Sequence, residues 1–263
     1  MACRDKDRCA TAASQIRTRA PGATIESAVL DLADLDSVRA CAEEFRSRHE
    51  SLDILVNNAG VMAPPDRLET KQGFELQFGT NHLGHFALTG LLLPLLLETP
   101  ESRIVTVSSF AHEAGRIDFD DLQCERSYTP YGAYSQSKLA NILFMLELDR
   151  RLRTADAGAL SAGAHPGVVS TNLQAAGPFT GRSPLSSRII LAGVRLIGQS
   201  QKRGAESQLY AATARGVVAG GYYGPKHRGW GHVADSSMAP QARDAVVAVR
   251  LWDVSEQLTG VEY

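Results

Sequence analysis

Short apolar runs alternate with longer helical patterns along the chain, and this alternation restricts the fold more than any other feature of the sequence. The runs with strand character are residues 24–30, 52–56, 103–107 and 159–164. Helical patterns cover residues 7–19, 36–48, 71–97, 131–153, 202–215 and 240–257. Several of the strands are apolar on both faces, which is typical of a parallel sheet with helices on both sides. We therefore expect an α/β fold with a doubly wound parallel sheet.

The size and charge of the chain favour one domain without a nucleic-acid partner. Its 263 residues are 44% hydrophobic and 21% charged, as in ordinary globular proteins. The net charge is -2 and no block of Lys and Arg occurs, so nothing in the sequence attracts a polyanion. We expect a single domain over residues 1–263. Residues 172–204, rich in Gly, Ser and Pro around a short apolar helix, interrupt the alternation and are interpreted as a lid or insert.

The cysteines indicate a reducing compartment, and the apolar stretches indicate that the chain does not span a membrane. Cys3, Cys9, Cys41 and Cys124 form no CxxC pair and are too few for a disulfide scaffold, so we expect reduced thiols. The start of the sequence shows no signal-peptide pattern, and the longest apolar stretch, residues 88–97, is too short for a membrane span. These features predict a cytoplasmic protein without a visible membrane anchor.

Tyr134 and Lys138 form the first chemical signal in the sequence. They stand four residues apart in YSQSK, at the start of a strongly helical run, and so lie on one helical face. A phenol titrates near pH 10, and a neighbouring ammonium group favours the phenolate. The pair could therefore exchange a proton near neutral pH. The same spacing also occurs on solvated helix faces, so the interpretation depends on the surrounding motifs.

Polar and turn-forming residues follow three successive predicted strands. Ser108 and Ser109 end RIVTVSS, NNAG at residues 57–60 ends the strand before it, and HPGVVST at residues 165–171 ends the strand after it. Ligands of open α/β sheets bind beyond the carboxyl ends of strands. Each motif alone is equally compatible with a simple turn. Their coincidence with Tyr134 and Lys138 predicts one shared site.

Asn81 and two histidines lie in a helical segment, NHLGHF. A short amide side chain is a poor helix former, so we expect Asn81 to bend the helix and hold a water molecule. His82 and His85 have the spacing of two metal ligands, but no third ligand stands at a recognised spacing. We therefore expect no metal site and interpret both histidines as packing residues.

On these motifs the chain resembles the short-chain dehydrogenase/reductase family over essentially its whole length, and its retinol-dehydrogenase-like members most. The motifs are ACRD, LDLADLDSVR, LDILVNNAGVM, NHLGHF, IVTVSS, YSQSKLAN and HPGVVST, in the order and spacing of that family. The resemblance implies a Rossmann-like fold and oxidoreductase activity. It places Asn81, Ser109, Tyr134 and Lys138 at the four catalytic positions.

The resemblance also implies roles for these residues. Tyr134 would exchange the proton of the substrate oxygen, and Ser109 would hydrogen-bond that oxygen. Lys138 would lower the tyrosine pKa and bind the nicotinamide ribose, and Asn81 would order a water in a proton relay. The implied cofactor-binding residues are Arg4, Asp31, Leu32, Asn58, Ala59, Gly60, Tyr134, Lys138, Pro166, Gly167, Val169 and Thr171.

Arg4 bears on the choice of cofactor. An arginine after the second strand of a dinucleotide-binding fold accommodates a 2′-phosphate, so we expect NADP rather than NAD. NAD is the alternative, because Asp5 lies beside Arg4 and a solvated turn arginine explains the residue equally simply.

ACRD ends the second strand in the family, so the first β-strand, a glycine-rich turn of the T-G-x-x-x-G-x-G type and the first helix are missing from the sequence. The cluster GGYYG at residues 220–224 lies between a helix and a loop and supplies no substitute. We expect the second and fourth strands of the family to lack their shared neighbour. Truncation at an internal methionine is the favoured explanation, and a degraded or specialised relative is the alternative.

The apolar lid suggests an apolar alcohol or carbonyl compound as substrate, such as a retinoid, a steroid or an aliphatic or aromatic carbonyl. The alternative is that its helix only packs against a second subunit or a membrane surface.

We expect an NADP-dependent oxidoreductase that interconverts alcohol and carbonyl. A double-bond reductase of the same family and a non-catalytic binding or regulatory relative are the alternatives. The resemblance also implies a homodimer formed through the helices at 71–97 and 131–153.

Overall fold

Within the residues that the computed structural model describes, seven strands form two sheets. The structure describes residues 1–169, 200–227 and 229–263. Strands β1 (Ala2–Cys3) and β2 (Ala28–Val29) make a parallel pair. The larger sheet has five strands in the order β3 to β7: β3 Ile54–Asn57, β4 Arg103–Val107, β5 Leu160–Ala164, β6 Tyr222–His227 and β7 Trp230–Asp235. All neighbours in it are parallel except the last pair.

Seven α-helices connect and cover these strands in the described part of the chain. They are α1 Lys6–Arg19, α2 Leu35–Arg48, α3 Leu76–Phe78, α4 Gly84–Leu97, α5 Pro130–Thr154, α6 Gln201–Thr213 and α7 Ala245–Thr259. Thr129 caps the start of α5, where Pro130 occupies the first turn without losing a helical hydrogen bond. None of the described helices is both long and apolar enough to cross a membrane.

Helices pack on both faces of the five-stranded sheet. Ile104 of β4 points to one face, where it packs with Phe86 of α4 and Phe144 of α5. Its neighbour Val105 points to the other face and packs with Ala211 of α6. Because neighbouring strand residues face opposite sides, this burial explains why Ile104 and Val105 are both apolar. The doubly wound α/β fold predicted from the sequence is confirmed.

The C-terminal helix α7 covers α4 and α5. Trp252 lies 5.1 Å from the ring of Phe86 and 5.8 Å from that of Phe144. The hydroxyl of Tyr263 donates to the Phe86 carbonyl over 2.6 Å. Residues 84–90 and 133–145 are consequently all buried. The homodimer expected through these two helices stays a prediction.

β1 and β3 lie in different sheets and share no neighbouring strand within the described residues, as the sequence predicted.

Beside β1, the expectation of reduced thiols is wrong for one pair, because Cys3 and Cys9 form a disulfide. The tight turn from β1 into α1 brings their Cα atoms to 6.0 Å, a distance that a disulfide spans. Cys41 and Cys124 are free thiols.

Residues 220–224 also differ from the prediction. Instead of a loop after a helix, Tyr222–His227 forms β6 and pairs with both β5 and β7. Gly220 adopts a left-handed φ of +70°, which suits glycine, and turns the chain into the strand. The glycines mark the entry to the strand rather than a loop.

Candidate active site

Tyr134 and Lys138 lie one helical turn apart near the start of α5 and are both buried. The Lys138 Nζ atom is 5.8 Å from the centre of the Tyr134 ring and donates to the Val107 carbonyl over 3.3 Å. That carbonyl also accepts from Asn141 Nδ2 at 3.1 Å. The end of β4 therefore fixes the ammonium group beside the phenol.

Burial governs the pKa values of this pair. It lowers the pKa of Lys138 to about 8, because a charged ammonium is costly away from water. Burial also raises the pKa of Tyr134, and a hydrogen bond with the Ser109 side chain opposes that rise. The rise reflects the loss of hydration, and the expectation that Lys138 lowers the tyrosine pKa stays a prediction. At neutral pH Tyr134 is a phenol ready to donate.

The two serines after β4 do different work. The buried Ser108 donates its hydroxyl hydrogen to the Lys138 carbonyl over 2.7 Å and so ties α5 to the strand. The half-buried Ser109 caps the short 3₁₀-helix Phe110–Ala114, where its Oγ accepts from Ala111 N. Its interaction with Tyr134 places it, rather than Ser108, beside the phenol.

Asn81 occupies a π-helical turn, Gly79–Leu83, between α3 and α4. Its Nδ2 donates to the Val61 carbonyl and to Ser137 Oγ, both at 2.9 Å, and its Oδ1 accepts from Val61 N at 2.8 Å. A Cβ on Gly60 would lie 2.9 Å from Asn81 Oδ1 and 3.5 Å from Lys138 Nζ. Asn81 thus joins the loop after β3 to α5, and glycine at position 60 permits this contact. Its water-ordering role stays a prediction.

The histidines near Asn81 are buried packing residues. His85 Nδ1 hydrogen-bonds the Asn81 carbonyl at 2.9 Å, and His82 Nε2 bonds Ser255 Oγ at 2.8 Å. Burial lowers their pKa values to about 4 and about 3, so both rings are neutral. The described residues contain no group of His, Cys, Asp and Glu arranged to hold a metal ion.

The predicted cofactor residues after β1 and β2 have different surroundings. Arg4 is exposed, and the neighbouring Asp5 caps α1 by accepting from Asp7 N and Arg8 N at 3.0 Å. Asp31 uses one carboxylate oxygen to accept from Ala33 N at 2.9 Å. Leu32 packs in the core, and a Cβ on Gly84 would lie 2.5 Å from its carbonyl oxygen. Both the side chain and the carbonyl of Leu32 are therefore packed against neighbouring elements, and its role toward a cofactor stays a prediction.

The predicted cofactor residues after β3 and β5 suit a close approach of a ligand. Asn58 and Ala59 are exposed at the end of β3. Gly167 has a left-handed φ of +72° and follows the half-buried Pro166. The buried Val169 packs against Gly204 in α6. Thr171 and residues 172–199 of the predicted lid lie outside the described residues, and residues 201–204 form the first turn of α6.

Four further residues shape the site without having been assigned a role from the sequence. They are Asn57, whose Nδ2 donates to Thr89 Oγ1 at 2.9 Å, and His112, His165 and Tyr222, whose rings pack together behind the strand ends. HPG marked His165 only as part of a turn. No local pattern marks His112 or Tyr222, because their partners stand far away in the sequence.

Comparison with known proteins agrees with this geometry. The family model described as short chain dehydrogenase matches residues 1–178. Retinol dehydrogenase 13 of Homo sapiens is 43% identical over 268 residues, which cover 100% of this chain and 77% of that protein. Retinol dehydrogenase 14 of Mus musculus is 41% identical, with coverage of 99% and 78%.

Solved structures share the fold. An uncharacterized protein from Mycobacterium Paratuberculosis is 39% identical, with a TM-score of 0.77 and coverage of 100% of this chain and 84% of that one. A short chain dehydrogenase from Escherichia coli CFT073, complexed with NADPH, is 22% identical, with a TM-score of 0.53 and coverage of 77% and 80%, and shows the fold alone. The chain therefore belongs to the short chain dehydrogenase family, as an oxidoreductase that acts on CH–OH groups and is similar to retinol dehydrogenases.

Proposed function

We propose that the chain uses NADP to interconvert an apolar alcohol and the matching carbonyl compound, with Asn81, Ser109, Tyr134 and Lys138 as its catalytic residues. The observation that carries this proposal is the buried contact of Tyr134 with Ser109, with Lys138 one turn further along α5. A phenol and a hydroxyl that meet at a strand end are suited to share one substrate oxygen.

The direction of the proton follows from burial. Because the pKa of Tyr134 is raised, its hydroxyl carries a proton at neutral pH and donates it to the carbonyl oxygen during reduction. Ser109 donates a hydrogen bond to the same oxygen and holds it in place. Lys138 stays next to the phenol through its bond to the Val107 carbonyl. In the oxidation direction Tyr134 must first lose its proton.

The residues after the strands fit a nicotinamide dinucleotide. Asn58 and Ala59 are small and exposed, Gly60 has no side chain, and the backbone at Gly167 turns away from the sheet. These residues would hold the adenosine and nicotinamide ends, with Asp31 near the adenine. The cofactor would supply or accept the hydride, and the chain supplies position and proton.

Arg4 supports NADP over NAD in this proposal. Asp5, which would repel a 2′-phosphate, is engaged in capping α1 and lies 3.4 Å from the Arg8 guanidinium. Arg4 remains exposed and has no ion pair within the described residues. A guanidinium binds phosphate with charge-assisted hydrogen bonds.

Substitution of Arg4 tests the choice of cofactor. We expect Arg4→Ala to raise the NADPH dissociation constant about 10- to 100-fold, which corresponds to the loss of one charged hydrogen-bonding partner. Binding of NADH should not change. Arg19→Ala removes the same charge at the exposed far end of α1 and serves as the control. Equal losses for NADPH and NADH in a fluorescence titration would contradict the assignment.

The substrate proposal follows the relatives. Proteins named retinol dehydrogenase are about 40% identical to the chain over nearly all of it, so we propose a retinoid or another apolar carbonyl compound as substrate. Reduction of retinal, decanal and a ketosteroid by NADPH, followed at 340 nm, tests the class. Activity on none of the three would remove this proposal.

A further inference from the structure

Two loops that carry proposed site residues are bonded to the same segment near the C-terminus. The segment is residues 236–239, which follows β7 and precedes the 3₁₀-helix Pro240–Arg243. One loop follows β4 and contains Ser109, and the other follows β5 and contains Pro166 and Gly167. A buried histidine makes the connection in each case.

His112 connects the β4 loop to this segment. Its Nδ1 lies 2.7 Å from the Ser109 carbonyl, and its Nε2 lies 3.2 Å from Ala239 N. A carbonyl only accepts and a backbone N–H only donates. His112 must therefore carry its proton on Nδ1, and its Nε2 is the unprotonated nitrogen that accepts from Ala239 N. Gln241 reinforces the link, since its Nε2 donates to the Glu113 carbonyl at 2.8 Å.

His165 connects the β5 loop to the segment in the opposite tautomer. Its Nδ1 accepts from Gly167 N at 3.2 Å, and its Nε2 lies 2.8 Å from Ser236 Oγ. Burial lowers the pKa of His165 to about 4, so the ring is neutral and its single proton is on Nε2. A Cβ on Gly224 would overlap this ring, so the strand next to it has room only for glycine.

Tyr222 of β6 packs against both histidine rings. Its ring centre lies 5.7 Å from that of His112, edge to face, and 5.2 Å from that of His165. Its carbonyl accepts from Ser236 N at 2.7 Å. The three buried rings and the segment form one bonded unit with fixed tautomers, and we refer to it as the histidine clamp.

We infer that the histidine clamp positions both halves of the reaction site: His112 holds the turn that presents Ser109, and His165 holds the turn at Pro166 and Gly167. His112 and His165 are positioning residues, because they act through these turns. The inference rests on the proposed function for the roles of Ser109 and of the Pro166–Gly167 turn. It adds that residues 236–239, more than 70 residues after β5 in the sequence, determine the geometry at both.

Ala239→Pro breaks one arm of the clamp while keeping His112. The φ of Ala239 is -61°, which matches proline, and proline removes the N–H that His112 accepts. We expect kcat for retinal reduction to fall about tenfold with the KM for NADPH unchanged. In a Ser109→Ala background the same substitution should have less than a twofold effect, because no hydroxyl remains to be positioned. An equal loss in both backgrounds would overturn the inference.

Ser236→Ala breaks the other arm. We expect the KM for NADPH to rise several-fold with kcat nearly unchanged, while Ser237→Ala, an exposed neighbour, has no effect. A change in kcat alone would overturn the assignment of this arm. Full activity of Ser109→Ala would instead overturn the proposed function, so the two failures are distinguishable.

Nitrogen NMR of the histidine rings tests the clamp without turnover. The expected spectrum shows His112 protonated on Nδ1 and His165 protonated on Nε2. Ala239→Pro should shift only the His112 signals, and Ser236→Ala only the His165 signals. The reverse tautomer at either ring would overturn the inference even if both variants fold poorly or lose activity.

Discussion

Replacement of Tyr134 by Phe is expected to lower the turnover number for carbonyl reduction by about 10²- to 10⁴-fold, the usual contribution of a general acid. The substitution removes one hydroxyl from a buried side chain and leaves the ring in place. The dissociation constant of NADPH should therefore stay within a few-fold of its original value. Steady-state kinetics and a binding titration on the same preparation separate the two quantities.

The matched control is Tyr131→Phe. Tyr131 lies one turn earlier on α5 and is 58% exposed, and we expect turnover not to change when its hydroxyl is removed. If Tyr134→Phe kept more than half of the activity, Tyr134 could not be the proton donor. If both substitutions were equally damaging, the effect would belong to the helix rather than to the phenol.

Replacement of Lys138 by Met is expected to stabilise the fold while it abolishes turnover. Burial lowers the pKa of Lys138 from 10.5 to about 8, so below pH 8 the folded state carries a charge that the unfolded state hydrates better. This penalty disappears as the pH rises from about 8 to 10.5. Each pKa unit corresponds to about 1.4 kcal/mol, so Lys138→Met should gain roughly 1 to 3 kcal/mol at pH 7. The Val107 carbonyl keeps its bond from Asn141.

Urea unfolding at pH 7 and pH 10 measures this effect. The original protein should become more stable relative to Lys138→Met as the pH rises, because its lysine penalty disappears. Lys226→Met, at an exposed position on β6, should show no comparable gain. Destabilisation by Lys138→Met at pH 7 would mean that the ammonium group stabilises the folded state. It would contradict the view that the buried charge lowers the free energy of unfolding and is retained for catalysis.

Elements with strong local signals were predicted almost residue for residue. β4 is a run rich in β-branched residues, and α5 begins where Thr129 and Pro130 provide a cap and a first-turn proline. β6 escaped prediction because GGYYGP has the composition of a turn, and its strand character comes from pairing with β5 and β7. Such pairing joins residues far apart in sequence.

In the candidate site, too, residues in local motifs were predicted and features that depend on long-range packing were not. Motifs identified Ser109, Tyr134 and Lys138, and the structure places them side by side. The direction of the Tyr134 pKa shift depends on how deeply α5 is buried, which no spacing reveals. The Cys3–Cys9 disulfide depends on a turn geometry that a separation of six residues does not specify. His112 meets Ala239 across 127 positions, so its role appears only in three dimensions.

The pH dependence of kcat in both directions tests the central claim most directly, namely that protonated Tyr134 donates to the carbonyl oxygen. Burial raises the pKa of Tyr134 above its usual 10, so the phenol stays protonated as the pH rises through the neutral range. The account therefore predicts that kcat for retinal reduction is constant over this range and falls only at the alkaline extreme. Oxidation of retinol should accelerate with rising pH. A reduction rate that increases with pH would contradict the account.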